Sequence, residues 1–556
     1  MNRSTRRGGF PLSPSQRERV GERTPLRHSR FAPLNRPLSG LRHPLPLRGG
    51  ERKGEGAVSI VSRFRGRGPF VHRRRNTRSI SLNFVLAAAF ALALCAGCQT
   101  DSQQKSPAFK AAMTARETME IATEAYLFGY PLVKMDLTRQ VMTNVRFPEG
   151  MNAPLGQFAR IRTYPSASNH EITTPSADTL YTAVWLDVAK EPWVLSLPDA
   201  QDRYCLFPML DGWSTVFEAP GKRTTGTGPQ KYAITGPGWK GKLPAGLKEC
   251  KSPTSLVWVI GRVSCTGASD DYAAAHAIQD KCSAVPLSAY GQPYAPQSGS
   301  VDPAIDMETP VREQLRQMNV GAFFNRLALL MKDNPPARAD APILKKMARL
   351  GIIPGQPFDI NKLSAAEVQA LMAVPEVAFA RMKAWFKDGA KAGDSISQNG
   401  WTLTLKTGLY GTDYIQRAMI AAIGLGASLP QDTFYAISIA DGAGEPYSGN
   451  FRYVMHFPPG QIPSVNAFWS LTMYDADYFF VENALGRYSL GSRDELKLNG
   501  DGSLDIYIQR HPTAAGLASN WLPAAQEKFI LMLRFYWPME NMLNGTWKVP
   551  PVKRAN

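Results

Sequence analysis

The hydrophobic pattern of the chain alternates between helical and strand texture. Residues 106–142 are rich in Ala, Met and Glu and place apolar residues at helical spacing, and Pro131 is expected to limit this helix. From Thr179 to about residue 300, short aromatic and β-branched runs separated by Gly, Pro and Asp predict strands at the spacing of a sandwich or barrel. Residues 301–395 return to helical periodicity, and strand texture resumes at about residue 433.

This order predicts a mainly β protein with helices, of the α+β class. We expect two jelly-roll-like β-sandwich domains joined by a helical segment, with an additional N-terminal helix. The predicted divisions are a leader at 1–70, an export signal at 71–97, a tether and helix at 98–142, a first β-sandwich at 143–300, a helical linking region at 301–432 and a second β-sandwich at 433–556.

The two strand-rich regions carry a matching pattern, which raises the hypothesis of an internal duplication. In each region an Asp is followed by a Glu seven residues on and by an Arg twelve residues on. The matched positions are Met209, Asp211, Glu218 and Arg223 in the first region and Met473, Asp475, Glu482 and Arg487 in the second. A match this short is equally compatible with duplication and with chance.

An export signal precedes the first predicted helix. Arginines at positions 73, 74, 75 and 78 are followed by an apolar run at 84–94, which is about half the length of a membrane-spanning helix. Small residues then lead into Cys98, which is the order of a lipoprotein signal peptide, although Cys95 stands where Leu is usual. We therefore predict acylation of Cys98 and anchoring in the bilayer, with ordinary secretion as the alternative. Because Gln99 rather than Asp follows, we expect the outer membrane, facing the periplasm.

The basic charge is concentrated ahead of Cys98. The formal net charge is +18, and residues 1–97 hold 20 Lys and Arg against 4 Glu, which leaves 44 basic and 42 acidic residues for the rest. Nucleic acid is therefore not an expected partner. Residues 1–70 are low in complexity, so we expect a disordered leader or a start codon assigned too early; a basic arm that binds a partner is the alternative.

Four cysteines follow Cys98. An oxidising compartment permits disulfides, and we predict one among Cys250, Cys265 and Cys282, with the pairing open. Cys205 lies in an apolar run and is expected to be a buried thiol. None of these four cysteines forms a CxxC pair and no HExxH sequence occurs in the chain, so the sequence predicts no metal site and no cofactor.

Several long stretches resemble a known pair of bacterial domains. TPSADTLYTAVWLDV and PWVLSLPDAQDRYCLFPMLDGW are similar to domain of unknown function 1254, and NAFWSLTMYDADYFFVEN and NWLPAAQEKFILMLRFYWP to its C-terminal companion, domain of unknown function 1214. The resemblance covers nearly all of residues 115–555. It implies two jelly-roll-like β domains joined by helices and frequent export, and it implies no reaction. Ser176 stands where the family commonly has Asn, which argues against a role that needs an amide there.

Polar residues at strand ends and within apolar strands are the candidates for a site. A carboxylate at a strand end can act as a general base or bind a ligand, and it can equally cap a turn. Three arginines, Arg203, Arg262 and Arg534, interrupt apolar strands. Each can hold a ligand or form an ion pair with a carboxylate, for which Asp475, Asp211 and Asp271 are the candidates. The catalytic candidates are Asp178, Tyr181, Arg203 and Asp211, and the binding candidates are Asp475, Arg487 and Arg534.

Two functions fit these observations. The favoured one is a non-catalytic envelope lipoprotein that binds a glycan, a small molecule or a protein partner. The alternative is a periplasmic hydrolase or lyase that acts on a polar small molecule or glycan through a carboxylate, Tyr and Arg site. The bilayer is the expected partner through Cys98, and assembly into a homo-oligomer is open. Convergence of Asp178 and Tyr181 with Arg203 or Asp211 in one pocket would favour the enzyme.

Overall fold

The computed structural model describes residues 113–168, 174–388 and 395–555 of the chain. The predicted leader, the export signal and Cys98 lie outside the described residues. Within these ranges, no helix combines the length and the apolar character needed to cross a bilayer.

The first helix, α1 (Ala115–Thr143), lies at the centre of the helical part of the molecule. It begins after Thr114, whose hydroxyl accepts a hydrogen bond from the backbone of Glu117. From Ile121 to Leu137 every residue except Glu124 is buried, because apolar side chains occupy all faces of this segment.

Pro131 lies inside α1, so the expectation that it limits the helix is wrong. The proline removes one backbone hydrogen bond, but the surrounding packing holds this turn in helical conformation. Two residues earlier, a Cβ on Gly129 would lie 2.3 Å from Leu327. Glycine therefore allows the helix that carries Leu327 to approach α1 closely.

The remaining helices extend from the first β region to the C-terminus. They are α2 (Ser269–Lys281), α3 (Val311–Gln317), α4 (Val320–Leu330), α5 (Ala341–Arg349), α6 (Ala365–Met372), α7 (Val374–Asp388), α8 (Tyr414–Gly424) and α9 (Glu540–Leu543). Side chains of α1 share one hydrophobic core with those of α3 to α8. The predicted N-terminal helix and helical linking region therefore form a single helical layer in space.

The first β region is a two-sheet sandwich. Its strands are β1 (Ala159–Arg160), β2 (Thr179–Asp187), β3 (Trp193–Leu197), β4 (Cys205–Leu206), β5 (Met209–Asp211), β6 (Val216–Glu218), β7 (Gln230–Thr235), β8 (Lys248–Lys251), β9 (Leu256–Ser264) and β10 (Ser283–Pro286). The six-stranded sheet has the order β1-β2-β9-β5-β6, with β4 also paired to β9, and the four-stranded sheet has the order β10-β3-β7-β8. Their facing apolar side chains form one core.

The second β region is built in the same way. Its strands are β11 (Ser395–Gln398), β12 (Trp401–Thr404), β13 (Thr433–Ser438), β14 (Arg452–Phe457), β15 (Val465–Asp475), β16 (Ser489–Gly491), β17 (Leu504–Gln509), β18 (Trp521–Pro523), β19 (Phe529–Pro538) and β20 (Val552–Ala555). The sheet orders are β11-β12-β13-β19-β15-β16 and β18-β17-β14-β20. The α+β class and the two sandwiches are confirmed.

Strands β11 and β12 lie in the region predicted as helical. They form a hairpin that extends the six-stranded sheet of the second sandwich. Trp401 and Leu403 are buried and Thr402 and Thr404 are more exposed, which is the alternation of a strand. Two strands this short leave a weak signal beside the long helical segment that precedes them.

The two sandwiches share one topology over eight strands each. In the six-stranded sheets the order β2-β9-β5-β6 corresponds to β13-β19-β15-β16, and in the four-stranded sheets β10-β3-β7-β8 corresponds to β20-β14-β17-β18. Each four-stranded sheet also has one parallel pair at the same place, β7 with β8 and β17 with β18. This agreement in strand order and in the position of the parallel pair supports the hypothesis of an internal duplication.

Strand register places some of the residues matched in sequence at equivalent positions in the two sandwiches. Met209 and Asp211 pair with β9 at the positions where Met473 and Asp475 pair with β19. By the same register, Arg262 on β9 corresponds to Arg534 on β19.

Asp211 ends β5 in a tight turn. Its Oδ1 accepts hydrogen bonds from the backbone N–H groups of Trp213 at 2.9 Å and Thr215 at 2.8 Å. Ser214 within this turn has a left-handed φ of 62°. The carboxylate therefore caps the turn, which is one of the two roles expected for an Asp at a strand end.

Asp475 ends β15 in the same kind of turn. Its Oδ1 accepts from the backbone of Asp477 and of Phe479, both at 2.9 Å. Tyr478, at the position that matches Ser214, has a left-handed φ of 70°. The two aspartates thus serve one structural purpose in the two halves.

Replacement of Asp211 by Asn tests the effect of burial on this carboxylate. Burial raises the pKa of Asp211 to about 6, from an ordinary value of about 4. The folded state therefore binds this proton more tightly than the unfolded chain, so the contribution of Asp211 to stability falls as pH rises from about 4 to about 6. Because an Asn oxygen can accept the same turn hydrogen bonds, we expect D211N to gain up to about 3 kcal/mol relative to wild type across that range, measured by urea unfolding at each pH.

Asp475→Asn is the matched control, since it makes the same chemical change at the equivalent turn with a more exposed side chain. We expect its pH-dependent gain to stay below about 1 kcal/mol. Parallel stability curves for D211N and the wild type would contradict the argument.

Candidate functional site

In each sandwich, the first strand of the shared topology begins with the same sequence pattern. Asp178–Tyr181 reads Asp-Thr-Leu-Tyr at the start of β2, and Asp432–Tyr435 reads Asp-Thr-Phe-Tyr at the start of β13. Register places Tyr181 opposite Arg262 and Tyr435 opposite Arg534. Asp178 and Asp432 are therefore equivalent residues, and each is 1% exposed.

Asp178 is held by groups from the other sandwich. Its Oδ1 accepts from Arg493 Nη2 at 2.9 Å, and its Oδ2 accepts from the hydroxyls of Ser470 at 2.7 Å and Tyr536 at 3.1 Å. Arg493 Nη1 also donates to the backbone oxygens of Asp178 and Cys265. Burial and the negative charge of Asp178 raise the pKa of Tyr536 well above its ordinary value, so this phenol stays a hydrogen-bond donor.

Asp432 has the reciprocal arrangement. Its two carboxylate oxygens accept from Arg223 of the first sandwich, from Nε at 2.6 Å and from Nη2 at 3.1 Å. The hydroxyl of Tyr204, also of the first sandwich, donates to the backbone oxygen of Asp432 at 2.9 Å. Burial raises the pKa of Asp432, and the hydrogen bonds from Arg223 oppose that shift.

Arg223 and Arg493 are equivalent by position. Arg223 lies two residues after Gly221, and Arg493 lies two residues after Gly491. The two glycines pair with equivalent positions on their neighbouring strands. A Cβ on Gly221 would lie 2.5 Å from a backbone oxygen of that strand, and one on Gly491 would lie 2.0 Å from the equivalent oxygen, so both positions require glycine. The sequence match of Arg223 with Arg487 is therefore wrong, because the β15–β16 loop is longer than the β5–β6 loop.

Two buried arginines add a second reciprocal contact. Arg534 donates to the backbone oxygens of Thr174 and Pro175, just ahead of Asp178, at 2.9 and 3.1 Å. Arg262 donates to Ser428 Oγ and the Gly426 oxygen, just ahead of Asp432, at 3.1 and 3.3 Å. Each sandwich thus fixes the segment that leads into the other sandwich's aspartate.

The structure separates the four catalytic candidates. Tyr181 is half-buried, with its ring 5.4 Å from the guanidinium carbon of Arg262. Arg203 forms an ion pair with Asp271 and donates to the Ser264 oxygen at 2.7 Å. Asp211 caps its turn. Of the four catalytic candidates, Asp178 is the one among the described residues that line the pocket reported below.

The binding candidates have different environments. Asp475 caps a turn, and Arg534 is 4% exposed and donates to Thr472 Oγ1 at 2.8 Å. Arg487 is half-buried and donates through Nη1 to the backbone oxygens of Ala518 at 2.8 Å and Trp521 at 2.9 Å.

The predicted disulfide is absent from the described residues. Cys250, Cys265 and Cys282 are free thiols, as is Cys205, and all four are buried. They lie on a strand, at a strand end and at a helix end, and each packs into the core of the first sandwich. Burial raises the pKa of Cys250 and of Cys282 to about 12, so these thiols are poor nucleophiles.

A pocket of about 450 Å³ lies where the two sandwiches meet beside Asp178. We call it the junction pocket. The first sandwich and its flanking segments contribute aromatic and hydroxyl groups, and the second contributes strand β16 with its neighbours. The lining residues used below are Tyr164, Asp178, Thr266, Tyr272, Ser470, Arg487, Tyr488, Ser489, Arg493 and Asp494.

Asp178 is not free to act as a general base in the junction pocket. Both oxygens of the Asp178 carboxylate accept hydrogen bonds from within the protein, so this group cannot take a proton from a ligand without breaking the ion pair with Arg493. Neither His nor Cys occurs among the described residues that line the pocket. The described residues also contain no cluster of three His, Cys, Asp or Glu side chains arranged to bind a metal ion.

The sequence carries signals for some site residues that are not among the predicted candidates. The repeated Asp-Thr-(Leu or Phe)-Tyr pattern marks Asp432 as the partner of Asp178, and Gly-x-Arg marks Arg223 and Arg493. Ser470 and Tyr536 carry no such signal, because each looks like an ordinary strand residue until the sheets are assembled.

Comparison with known proteins agrees with this architecture. The sequence model of the family described as "Protein of unknown function (DUF1254)" matches residues 155–286, and that of "Protein of unknown function (DUF1214)" matches residues 432–540. The predicted tandem order of these two domains is confirmed. No curated protein matches the chain.

Two solved structures are similar to this chain. The VPA0106 protein from Vibrio parahaemolyticus is 23% identical, with a TM-score of 0.59 over 79% of this chain and 100% of its own, which shows a shared fold. An uncharacterised protein from Burkholderia cenocepacia is 10% identical, with a TM-score of 0.38 over 80% of this chain and 95% of its own. That score is too low to support a further comparison.

Replacement of Arg493 by Gln tests the ion pair below the pocket. The change leaves the buried Asp178 carboxylate without its cation, so we expect the free energy of unfolding to fall by about 3 kcal/mol. The equivalent change Arg223→Gln, which leaves Asp432 uncompensated, should have an effect of similar size. Urea unfolding followed by tryptophan fluorescence measures both variants.

Arg316→Gln is the control, because Arg316 faces Glu313 in an exposed helical pair. Its expected effect is below about 0.5 kcal/mol. A loss below about 1 kcal/mol for Arg493→Gln would show that the pair does not compensate the buried charge.

Proposed function

We propose that this chain, which carries a DUF1254 domain followed by a DUF1214 domain, is a lipid-anchored envelope protein that binds a polar small molecule in the junction pocket. The observation that carries the proposal is the contrast between paired and unpaired polar groups in that pocket. Asp178 and Arg493 are paired with each other. Around them, Arg487, Ser489 and Asp494 keep hydrogen-bonding groups that can reach a ligand.

The shape and chemistry of the lining support a small polar ligand. A volume of about 450 Å³ falls in the range of small-molecule sites. Tyrosine rings from both sandwiches provide apolar faces beside the polar groups: Tyr164 and Tyr272 lie edge to face at 5.6 Å, and Tyr488 stacks on Phe480 at 4.4 Å. Rings and hydroxyl groups of a sugar-like molecule match such a mixture.

Binding is favoured over an enzymatic role on geometric grounds. The candidates Asp178, Tyr181, Arg203 and Asp211 do not converge on one pocket. Of these four, Asp178 lines the junction pocket, and its carboxylate is engaged in an ion pair. A ligand can bind above this pair without disturbing it.

The anchor is proposed from the sequence around Cys98. The apolar run and the small residues that precede this cysteine support cleavage and acylation, and Gln99 supports the outer membrane. The junction pocket would then face the periplasm on a tethered protein.

Replacement of Ser489 by Trp tests the pocket. Ser489 is half-buried on β16 and lines the pocket, so an indole there fills the space a ligand needs. We expect wild-type protein purified without denaturation to retain a small molecule that mass spectrometry detects after acid release, and S489W to retain at least tenfold less, the loss that about 1.4 kcal/mol of binding energy produces.

Ser298→Trp is the matched control, because Ser298 is exposed and lies outside the pocket lining. This variant should retain the molecule as wild type does. Equal retention by S489W and wild type, or an empty wild-type protein that binds nothing from a metabolite panel, would reject the proposed function.

Replacement of Cys98 by Ser tests the anchor. We expect the wild type to partition with the membrane and to have the intact mass of a chain that begins at an acylated Cys98. C98S should lose the acyl mass and accumulate with its leader uncleaved, because the modifying enzymes need the thiol. A wild-type chain that begins at Met1 without modification would contradict both the anchor and the expected location.

A further inference from the structure

Arg487 differs from the other arginine that lines the junction pocket. Arg493 is paired with Asp178, whereas Arg487 forms no ion pair within the part of the chain that the structure describes. Its bonds to the backbone oxygens of Ala518 and Trp521 use a single nitrogen, Nη1. The guanidinium group is therefore fixed in position, and its Nε and Nη2 edge has no hydrogen-bond partner among the described residues.

That edge is a good match for a carboxylate. Nε and Nη2 of a guanidinium present two parallel N–H groups at the spacing of the two oxygens of a carboxylate. Arg223 uses these two nitrogens to bind both oxygens of Asp432, at 2.6 and 3.1 Å. At Arg487 the same two nitrogens have no hydrogen-bond partner among the described residues, so they can bind a carboxylate in this way.

Neighbouring groups restrict the rest of the ligand. Asp494 accepts one hydrogen bond, from the backbone of Gly491 at 2.7 Å to Oδ2, so its Oδ1 can accept from a ligand hydroxyl. The hydroxyl of Ser489 has no hydrogen bond within the described residues. The negative charge of Asp494 also disfavours a ligand with two or more charges, such as a phosphate ester.

We infer, on the basis of the proposed function, that the ligand is a hydroxylated monocarboxylic acid of the sugar-acid class. Its carboxylate binds the Nε and Nη2 edge of Arg487. Its hydroxyl groups bind Asp494 and Ser489, and the faces of its carbon skeleton pack against Tyr164 and Tyr488. Arg487 is thus the residue that distinguishes acids from neutral sugars.

Isothermal titration of the full mature protein with paired probes tests this inference. Glucuronate, galacturonate and gluconate are compared at pH 7 with glucose and galactose, which lack the carboxylate. We expect at least one acid to bind the wild type tenfold or more tightly than its neutral counterpart. Arg487→Gln should weaken that acid by about tenfold to a hundredfold, which is the range for hydrogen bonds to a charged group, and should leave the neutral sugars unchanged.

Two further variants keep the test decisive. Arg487→Lys preserves the charge but not the two-pronged edge, so we expect an intermediate affinity for the acid even if Arg487→Gln folds poorly. Arg510→Gln removes an exposed arginine outside the pocket and should bind as the wild type does.

The outcomes separate the inference from the proposed function. Neutral sugars that bind as tightly as the acids, with binding abolished by S489W, would overturn the inference and leave the proposed function intact. Acid binding that Arg487→Gln does not weaken would also overturn the inference. If no acid or sugar binds and the wild type retains no small molecule, both are rejected.

Discussion

The two buried aspartates can be ionised only if the two sandwiches dock. Asp178 and Asp432 start the first strand of each shared topology, and each is almost inaccessible to solvent. Their cations come from the opposite sandwich: Arg493 pairs with Asp178, and Arg223 pairs with Asp432. A buried carboxylate without a cation is strongly unfavourable, so neither sandwich can complete its own first strand alone. The crossed ion pairs therefore couple the positions of residues 315 apart in one case and 209 apart in the other.

The same interface explains why arginines interrupt apolar strands. Arg262 and Arg534 occupy equivalent positions on the central strands β9 and β19, and each donates to backbone oxygens ahead of the other sandwich's aspartate. The Pro175 oxygen also accepts from the hydroxyl of Tyr474 at 2.6 Å, so this buried acceptor is fully hydrogen-bonded. The expectation that such arginines pair with a carboxylate is met by Arg203 and Asp271. At Arg534 the hydrogen-bond partners are instead Thr472 and backbone oxygens.

Local features of the fold were predictable from the sequence, and the pairing across the fold was not. Strand texture, the helical segments and the family resemblance are properties of short stretches, so the α+β class and the two sandwiches could be predicted. The match of Arg223 with Arg487 is wrong because equal spacing assumes equal loops, whereas register equates Arg223 with Arg493. The pairing of Asp178 with Arg493 joins residues that no local pattern connects, and Pro131 lies in a helix because of packing that the sequence does not display.

The shared topology also indicates where function is to be sought. Both halves need an aspartate at the first strand, a Gly-x-Arg segment and a buried arginine in order to dock, so these paired features have a structural explanation. The junction pocket includes a group that belongs to one half: Arg487 lies in the longer β15–β16 loop, and the β5–β6 loop is too short to carry an equivalent. Docking does not require Arg487, because its bonds to Ala518 and Trp521 lie within its own sandwich. Arg487 thus lines a pocket, has no ion pair among the described residues and is not needed for docking, which supports the proposal of a ligand.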